Sequence, residues 1–211
     1  MLTVHHLNNS RSQRILWLLE ELGAPYDIRA YQRDPDTSRA PKELKAVHAL
    51  GKSPVIEHDG LVVAETGAII VYLLDNFDSD RRFRPLPGTQ SYVDYVHFLH
   101  FAEGSAMLPL LLSLYTGFLG DAAQPIQPMI MDEIRKMLDY CELTLIRGEW
   151  FAGDAISGAD FNMIFPLEAA RARGRLKGYD ACNEFVDRVW ARPAYRTALA
   201  RGGDYDYGPK T

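Results

Sequence analysis

Hydrophobic and polar positions in the first eighty residues follow two different periods, and the shorter period marks strands. Residues 2–7 and 26–31 are rich in β-branched, aromatic and aliphatic side chains. Two further runs of this kind flank Asp59-Gly60, a dipeptide typical of the tight turn of a β-hairpin. The pattern therefore predicts four strands, the last two of which form a hairpin.

Helical spacing separates these strands. Apolar residues recur every three or four positions from Ile15 to Leu22, and Gly23 follows as the predicted C-cap. A short helix is predicted to begin near Pro41, and helical spacing returns over residues 66–77. The order β-α-β-α-β-β-α predicts a compact α/β domain, which we bound at residues 1–78.

The chain changes character after this domain. Residues 79–89 combine three arginines with two prolines and a glycine, which predicts a linker. Residues 90–211 are predicted to form a helical domain that ends in a mobile polar tail. Its first helix is long and apolar, with a bend expected at Pro109, and a capping box from Ser157 to Asp160 predicts the start of another helix.

Composition narrows the classes of function. The 211 residues carry a net charge of -5, so no basic surface is expected for nucleic acid. The longest apolar run, residues 106–119, is shorter than the ~18 residues of a membrane span, and no signal peptide is recognisable. Cys141 and Cys182 lie far apart in helical patterns and are expected to be buried, reduced thiols. These observations predict a cytoplasmic protein that binds neither nucleic acid nor membranes.

Candidate chemistry in the α/β domain begins at Ser53-Pro54, directly before a predicted strand. If this peptide bond is cis, the chain turns and leaves the backbone N–H and C=O of Ser53 open to a ligand. The alternative is an ordinary trans proline at the edge of the sheet.

A second candidate is Glu65-Thr66, where the hairpin ends and the next helix begins. Thr66 could serve only as the N-cap, with Glu65 beside the helix dipole. Alternatively, the amides at this helix start bind a carboxylate while Glu65 holds an ammonium group. That combination suits the end of an α-amino acid.

The third candidate is Ser10, at the start of the first helix. Ser10 and Gln13 fit the Ser-x-x-Gln capping box, which is the simplest interpretation of these residues. A hydroxyl at a helix N-terminus can also donate a hydrogen bond to a ligand thiolate and favour the ionised form.

Taken together, these segments resemble the cytosolic glutathione transferases, in particular serine-type members from bacteria and fungi. The resemblance rests on "NNSRSQRILWLLEELG", "HALGKSPVIEHDGLVVAETGAIIVYL", the linker, "HFAEGSAMLPLLL" and "ISGADFNMIF", in the family's order along the chain. It implies an α/β thioredoxin-like N-terminal domain followed by an all-α C-terminal helical domain. It also implies a homodimer that uses glutathione as co-substrate, without a further cofactor or a metal.

The resemblance also assigns roles to residues. Ser10 is expected to be the catalytic donor to the thiolate, with Asn9 as its substitute. Ser53 would pair with the cysteinyl backbone of glutathione, after which Pro54 is cis. Glu65 and Thr66 would hold the γ-glutamyl end. The expected glutathione-binding residues are Asn9, Arg39, Lys52, Ser53, Pro54, Glu65 and Thr66, with Arg39 at the glycyl carboxylate and Lys52 assisting.

Some residues depart from the family pattern. His48-Ala49 stands where Asn-Pro is usual, and Ser12 stands where many serine-type members carry proline. No cysteine lies in residues 5–14, so a mixed disulfide with glutathione is not expected. His97, His100 and Glu103 share a helix face and could form a zinc set, but ordinary helix residues are the preferred interpretation because no second cluster is present.

The expected function is activation of the glutathione thiolate for attack on hydrophobic electrophiles, or for reduction of organic hydroperoxides. The electrophile or peroxide is expected in an apolar pocket between the domains, with His100, Glu103 and Met107 as candidate contacts. The alternative is a non-catalytic glutathione-transferase-like binding or regulatory module.

Overall fold

The computed structural model describes residues 1–210, so Thr211, the last residue of the predicted tail and helical domain, lies outside the described residues. The chain forms two compact units. The first combines residues 1–82 with residues 189–210, and the second comprises residues 83–188.

A four-stranded sheet lies at the centre of the first unit. Its strands are β1 (Leu2–Leu7), β2 (Asp27–Tyr31), β3 (Val55–His58) and β4 (Leu61–Ala64), in the spatial order β2-β1-β3-β4. β1 and β2 run parallel, whereas β3 is antiparallel to both β1 and β4. Asp59 and Gly60 form the predicted hairpin turn, with φ of 48° and 82°. The C-terminal ends of β1, β2 and β4 therefore lie at the same edge of the sheet as the start of β3.

Nine α-helices lie within residues 1–210. They are α1 (Ser12–Leu22), α2 (Leu44–Val47), α3 (Thr66–Phe77), α4 (Gln90–Phe101), α5 (Met107–Gly117), α6 (Gln127–Arg147), α7 (Gly158–Ala172), α8 (Asp180–Ala191) and α9 (Pro193–Gly202). α1 ends at Gly23 in the left-handed conformation, as predicted. α2 begins at Leu44 rather than at Pro41, because residues 41–43 form a hydrogen-bonded turn before it.

The C-terminal helix α9 belongs to the first unit, whereas the predicted helical domain extended to the end of the chain. α9 packs on α1, where Trp17 and Tyr195 meet edge to face with ring centroids 5.8 Å apart. Arg201 adds an ion pair of 2.7 Å to Glu20. The physical reason is the burial of α1, which is complete from Ser12 to Leu19. A helix buried all round needs a partner on the side away from its sheet, and α9 provides it.

The long apolar helix of the second unit is interrupted before its proline. α4 is followed by a π-helical segment, Ala102–Ala106, and then by α5. Pro109 has no N–H for the carbonyl of Ser105, four residues earlier, so the irregularity lies N-terminal to the proline rather than at it. By length and composition alone, Gln90–Gly117 is the one helical run within residues 1–210 that could cross a membrane, and core helices of soluble proteins pass the same test.

The predicted capping box at the start of α7 is confirmed. The Ser157 N–H donates to Asp160 Oδ2 at 2.7 Å, and the Ala159 N–H donates to Ser157 Oγ at 3.3 Å. The Phe151 N–H donates to the other oxygen of Asp160 at 2.8 Å. Burial raises the pKa of Asp160 to about 6, although these hydrogen bonds favour the carboxylate.

Replacing Asp160 with alanine is expected to lower the free energy of unfolding by roughly 1–3 kcal/mol, because buried amides lose their acceptor. Asp160→Asn isolates the effect of the charge. The folded-state pKa, about 6, lies above the ordinary value of 3.8, so this carboxyl contributes stability that is complete at low pH and is lost as pH rises through about 6. Urea titrations from below pH 3.8 to above pH 6 should show the free energy of unfolding of the wild type falling relative to that of Asp160→Asn. A rise of the wild-type value relative to the variant would contradict a raised pKa at Asp160.

Candidate active site

The sheet topology brings three of the predicted segments to one edge. β1 leads into Ser10 and α1, Ser53-Pro54 precedes β3, and Glu65-Thr66 follows β4. Hydrogen bonds tie these segments to the sheet and to one another. Ser53 Oγ donates to the carbonyl of His5 on β1 at 2.8 Å, and the Arg14 guanidinium of α1 donates to Thr66 Oγ1 at 2.8 Å.

Ser10 is not the first half of a reciprocal capping box. α1 begins at Ser12, and Ser10 Oγ accepts the Ser12 N–H at 3.2 Å. Within residues 1–210, the side-chain amide of Gln13 is buried and makes no hydrogen bond, so it does not return a bond to Ser10. The predicted capping box is therefore wrong in one of its two hydrogen bonds, the one from the Gln13 side chain back to Ser10. Ser10 itself is only 5% exposed, and its hydroxyl lies 2.8 Å from that of Ser12.

The Ser12 hydroxyl also contacts groups in the interior of the first unit. Its oxygen lies 2.9 Å from His6 Nδ1 and 3.2 Å from the backbone nitrogen of Leu7. The other ring nitrogen of His6, Nε2, lies 3.1 Å from the carbonyl oxygen of Gly202 at the end of α9. Burial lowers the pKa of His6, which favours the neutral ring. A continuous line of polar atoms therefore connects Ser10 to α9.

Asn9 holds the C-terminal tail. Its Nδ2 donates to Asp206 Oδ2 at 2.7 Å, and its Oδ1 accepts the Asp206 N–H at 2.7 Å. Asn9 has a φ of 51°, a left-handed conformation that asparagine tolerates. The tail that the sequence predicts to be mobile is therefore attached at Asp206, because the Asn9 amide donates to the carboxylate of Asp206 and accepts from its backbone N–H.

Arg33 is a site residue that the sequence did not reveal. Its guanidinium donates to the carbonyl of Asn8 at 3.1 Å, of Asn9 at 2.8 Å and of Ser38 at 2.9 Å. These bonds fix the turn between β1 and α1. Every residue has a backbone carbonyl, so the sequence does not show which of them a side chain will bind. The only signal for Arg33 is its position after β2, at the same sheet edge.

Glu65, not Thr66, is the N-cap residue of α3. It has a φ of 72° and ψ of 124°, while Thr66 is the first helical residue and is buried. The Glu65 side chain is exposed and makes no hydrogen bond or ion pair within the described residues. A non-glycine residue in this region costs of order 1–3 kcal/mol and is typical of functional sites.

The remaining predicted glutathione contacts lie in segments at or next to the same edge. The Ser53-Pro54 bond is cis, Pro54 is buried and Ser53 is half-buried. Within residues 1–210, the backbone groups of Ser53 form no hydrogen bond. Lys52 and Arg39 are both exposed. The roles of these four residues toward a ligand stay predictions.

The predicted second-substrate residues lie in the second unit. His100 is exposed, Glu103 is half-buried in the π-helical segment, and Met107 is only 3% exposed. Their role stays a prediction. The zinc alternative gains no support, because no cluster of three or more potential metal ligands occurs among residues 1–210, and His97 Nε2 lies 3.1 Å from the Tyr140 hydroxyl. Cys141 and Cys182 are buried free thiols, as expected.

A mixed four-stranded sheet flanked by α1 and α3, with a separate helical unit, defines a thioredoxin-like protein with an added helical domain. Residues 1–75 match the family model for the glutathione S-transferase N-terminal domain, and residues 109–199 match the model for the C-terminal domain. The chain belongs to the glutathione S-transferase family. The predicted family, fold class and enzyme class, with glutathione as co-substrate, are confirmed.

Individual relatives agree with this assignment. Glutathione S-transferase 3 of Schizosaccharomyces pombe is 33% identical, over 97% of this chain and 89% of the relative. A solved glutathione S-transferase from Actinobacillus pleuropneumoniae is 34% identical and superposes with a TM-score of 0.86, over 99% of this chain and 100% of the other. A homologue from Lodderomyces elongisporus, solved with two GSH per subunit, is 20% identical with a TM-score of 0.78, over 94% and 97% of the two chains.

Glu65→Gly is expected to raise the free energy of unfolding by about 1 kcal/mol, because glycine adopts positive φ without strain. Glu65→Ala keeps the strain and should give no such gain. Glu43→Gly is the matched control, since Glu43 is the exposed N-cap residue of α2 with an ordinary φ of -58° and should be destabilised by glycine. Urea denaturation of the three variants measures the effect. Equal losses in Glu65→Gly and Glu43→Gly would contradict strain at Glu65.

Proposed function

We propose that this protein activates the thiol of glutathione at Ser10 and transfers it to hydrophobic electrophiles. One observation carries the proposal. In a member of the glutathione S-transferase family, Ser10 at the start of α1 shares a sheet edge with Ser53 and with Glu65-Thr66 at the start of α3. This edge offers two helix N-termini, a carboxylate and hydroxyl groups to one extended ligand.

Glu65 and Thr66 are assigned to the γ-glutamyl end of glutathione. The exposed Glu65 carboxylate, which makes no bond to the described protein, takes the ammonium group, and the amides at the start of α3 take the carboxylate. Ser53 is assigned to the cysteinyl backbone through its own N–H and C=O. The GSH molecules in the Lodderomyces elongisporus homologue support the choice of ligand.

The other predicted contacts complete the tripeptide. Pro54 shapes the turn that presents Ser53, Lys52 assists beside it, and Arg39 meets the glycyl carboxylate as an exposed cation. Asn9 stands next to Ser10 with its amide on Asp206. We infer that Asn9 acts through the turn that it forms, which helps to set the position of the ligand sulfur.

The chemistry follows from the acidity of the thiol. A free cysteine thiol has a pKa near 8.5, so a hydroxyl donor and the N-terminal dipole of α1 raise its thiolate fraction at neutral pH. The thiolate attacks an electrophilic carbon, from which a leaving group such as chloride departs with the bonding electron pair. With an organic hydroperoxide it attacks the terminal oxygen, the O–O bond breaks and the alcohol leaves. A second glutathione then reacts with the resulting sulfenic acid to give the disulfide and water. Of the second-substrate candidates, His100 and Glu103 are accessible and Met107 is buried. Detoxification in the cytoplasm is the corresponding role.

Ser10→Ala tests this proposal. Loss of the hydroxyl is expected to raise the pKa of the bound thiol by about one unit and to lower kcat/KM for a chlorinated nitrobenzene roughly tenfold or more at neutral pH. Glutathione affinity should stay within a few-fold of wild type. Isothermal calorimetry and steady-state kinetics measure the two effects, with Ser79→Ala, at an exposed serine of the linker, as the control.

Two results would contradict the proposal. If Ser10→Ala keeps full turnover, the hydroxyl is not the donor. If wild-type protein binds glutathione but turns over neither the chlorinated nitrobenzene nor an organic hydroperoxide, the non-catalytic binding module is the better description.

We further propose that the protein forms a homodimer through α4 and α6. Tyr140, Leu143 and Ile146 recur every three residues on α6 and are all exposed. Val93 of α4 is 57% exposed, and α4 meets α6 where His97 Nε2 lies 3.1 Å from the Tyr140 hydroxyl. Apolar side chains in such a stripe favour burial against a second copy. Sedimentation should give a dimer for wild type and a monomer for the double variant Leu143→Glu, Ile146→Glu. A monomeric wild type would contradict this interface.

A further inference from the structure

We propose that His6 receives the proton of the bound glutathione thiol through the hydroxyl groups of Ser10 and Ser12. The inference rests on the proposed function, since it requires the sulfur of glutathione at Ser10. It starts from three consecutive contacts. Ser10 Oγ lies 2.8 Å from Ser12 Oγ, Ser12 Oγ lies 2.9 Å from His6 Nδ1, and His6 Nε2 lies 3.1 Å from the carbonyl oxygen of Gly202.

The resting direction of these hydrogen bonds follows from the last one. A carbonyl oxygen only accepts, so His6 Nε2 carries the hydrogen that points to Gly202. In a neutral ring Nδ1 then has no hydrogen and accepts the hydroxyl proton of Ser12. That contact, at 2.9 Å, is shorter than the 3.3 Å from the same hydroxyl to the Leu7 carbonyl oxygen, the other acceptor within reach. Because Ser12 has no second hydroxyl proton, Ser10 must donate in the contact between the two serines. The proton of Ser10 therefore points into the protein, away from a ligand.

This direction has a consequence for a bound thiol. With its proton turned inward, Ser10 cannot donate to a thiolate, but its oxygen can accept from a thiol. The S–H bond breaks and its proton passes to Ser10 Oγ, the Ser10 proton passes to Ser12 Oγ, and the Ser12 proton passes to His6 Nδ1. One proton leaves sulfur, one arrives at the imidazole, and both hydroxyl groups are regenerated.

The transfer also turns the donor toward the sulfur. Once His6 carries hydrogens on both ring nitrogens, Nδ1 donates to Ser12, Ser12 donates to Ser10, and the Ser10 hydroxyl donates outward to the thiolate. Creation of the thiolate and orientation of its hydrogen-bond donor are thus one event. Ser10 keeps 5% of its surface exposed, and the sulfur must reach its hydroxyl through that opening.

The resting state is neutral because burial lowers the pKa of His6, while the Gly202 carbonyl partly opposes this effect. The elements around the ring carry His5 and Tyr31 beside it on the sheet, Arg11 and Arg14 at α1, Arg29 on β2, Arg201 on α9 and Asp206 in the tail. Burial, rather than any of these charges, is the largest cause of the lowered pKa. A thiolate at Ser10 would be the counter-charge that favours the imidazolium, so the two groups titrate as a coupled pair.

His6 and Ser12 are positioning residues in this scheme, since neither touches the sulfur. A purely structural role would hold the start of α1 in place without moving a proton. The two roles differ in the number of protons released to solvent for each thiolate formed. With the relay, the proton stays on His6 and none is released, whereas deprotonation into water releases one.

The test counts these protons on the wild-type enzyme. Ultraviolet absorbance of the bound thiolate gives the thiolate fraction at near-neutral pH. Calorimetry in two buffers of different ionisation enthalpy gives the protons released on binding. S-methylglutathione, which has no thiol proton, supplies the background from all other groups. The expected result is a thiolate signal with no proton release beyond this background, together with a change of the His6 ring-nitrogen resonances from neutral imidazole to imidazolium.

Variants test the route of the proton. His6→Asn keeps a hydrogen-bond acceptor near Ser12 but cannot take a proton, and Ser12→Ala interrupts the line. Both are expected to lower the thiolate fraction about tenfold, a rise of one unit in the pKa of the bound thiol, with glutathione affinity retained. His58→Asn is the matched control, because His58 also bonds a side chain within the same unit, Tyr72 at 2.9 Å, but lies at the far end of β3.

The possible results separate the proton relay from the proposed function. Release of about one proton per thiolate in the wild type overturns the relay and leaves the proposed function standing. No release together with an unchanged thiolate in His6→Asn also overturns it, because another group then holds the proton. Failure of the wild type to bind glutathione, or binding without a thiolate, overturns the proposed function and the relay with it. Variants that do not fold leave the wild-type proton count and resonances to decide.

Discussion

The hydroxyl group of Ser12 joins the start of α1 to the end of β1. Its oxygen lies 3.2 Å from the nitrogen and 3.3 Å from the carbonyl oxygen of Leu7, and it also contacts His6 and Ser10. The chain therefore reverses within five residues and places the N-terminus of α1, which is buried from Ser12 to Leu19, at the sheet edge. Together with the bonds from Arg33 to the carbonyls of Asn8 and Asn9, this side chain positions Ser10 and the amides of α1.

Buried polar groups of this kind stabilise a unique arrangement only when all of them are satisfied. His6 has Ser12 on one ring nitrogen and needs an acceptor on the other, which α9 supplies at Gly202. A Cβ on Gly202 would lie 2.5 Å from Gln13 Oε1 and 3.3 Å from His6 Nε2, so a larger residue there would have to displace the Gln13 side chain and would press on the His6 ring. The C-terminal helix α9 is thus a structural part of the first unit and of its site.

Local patterns predicted the local structure. The four strands, the turn at Asp59-Gly60 and the capping box at Ser157 all depend on residues within a few positions of each other. The attachment of Asp206 to Asn9 joins residues 197 positions apart, and no periodicity encodes it. Glu65 was missed as the N-cap residue for another reason, since a positive φ is rare for residues other than glycine and sequence patterns assume the common conformations. The motif at Ser10 fitted a cap and an active hydroxyl equally well.

The two left-handed residues at the sheet edge differ in what they say about function. Asn9 tolerates its φ of 51° and uses both atoms of its amide on Asp206, so the protein itself accounts for it. Glu65 does not favour its φ of 72°, and its carboxylate meets no partner within the described residues. Glycine would give the same backbone with less strain. Binding of a ligand ammonium group by this carboxylate, with the ligand carboxylate at the adjacent helix amides as proposed above, would account for a conformation that glycine adopts with less strain.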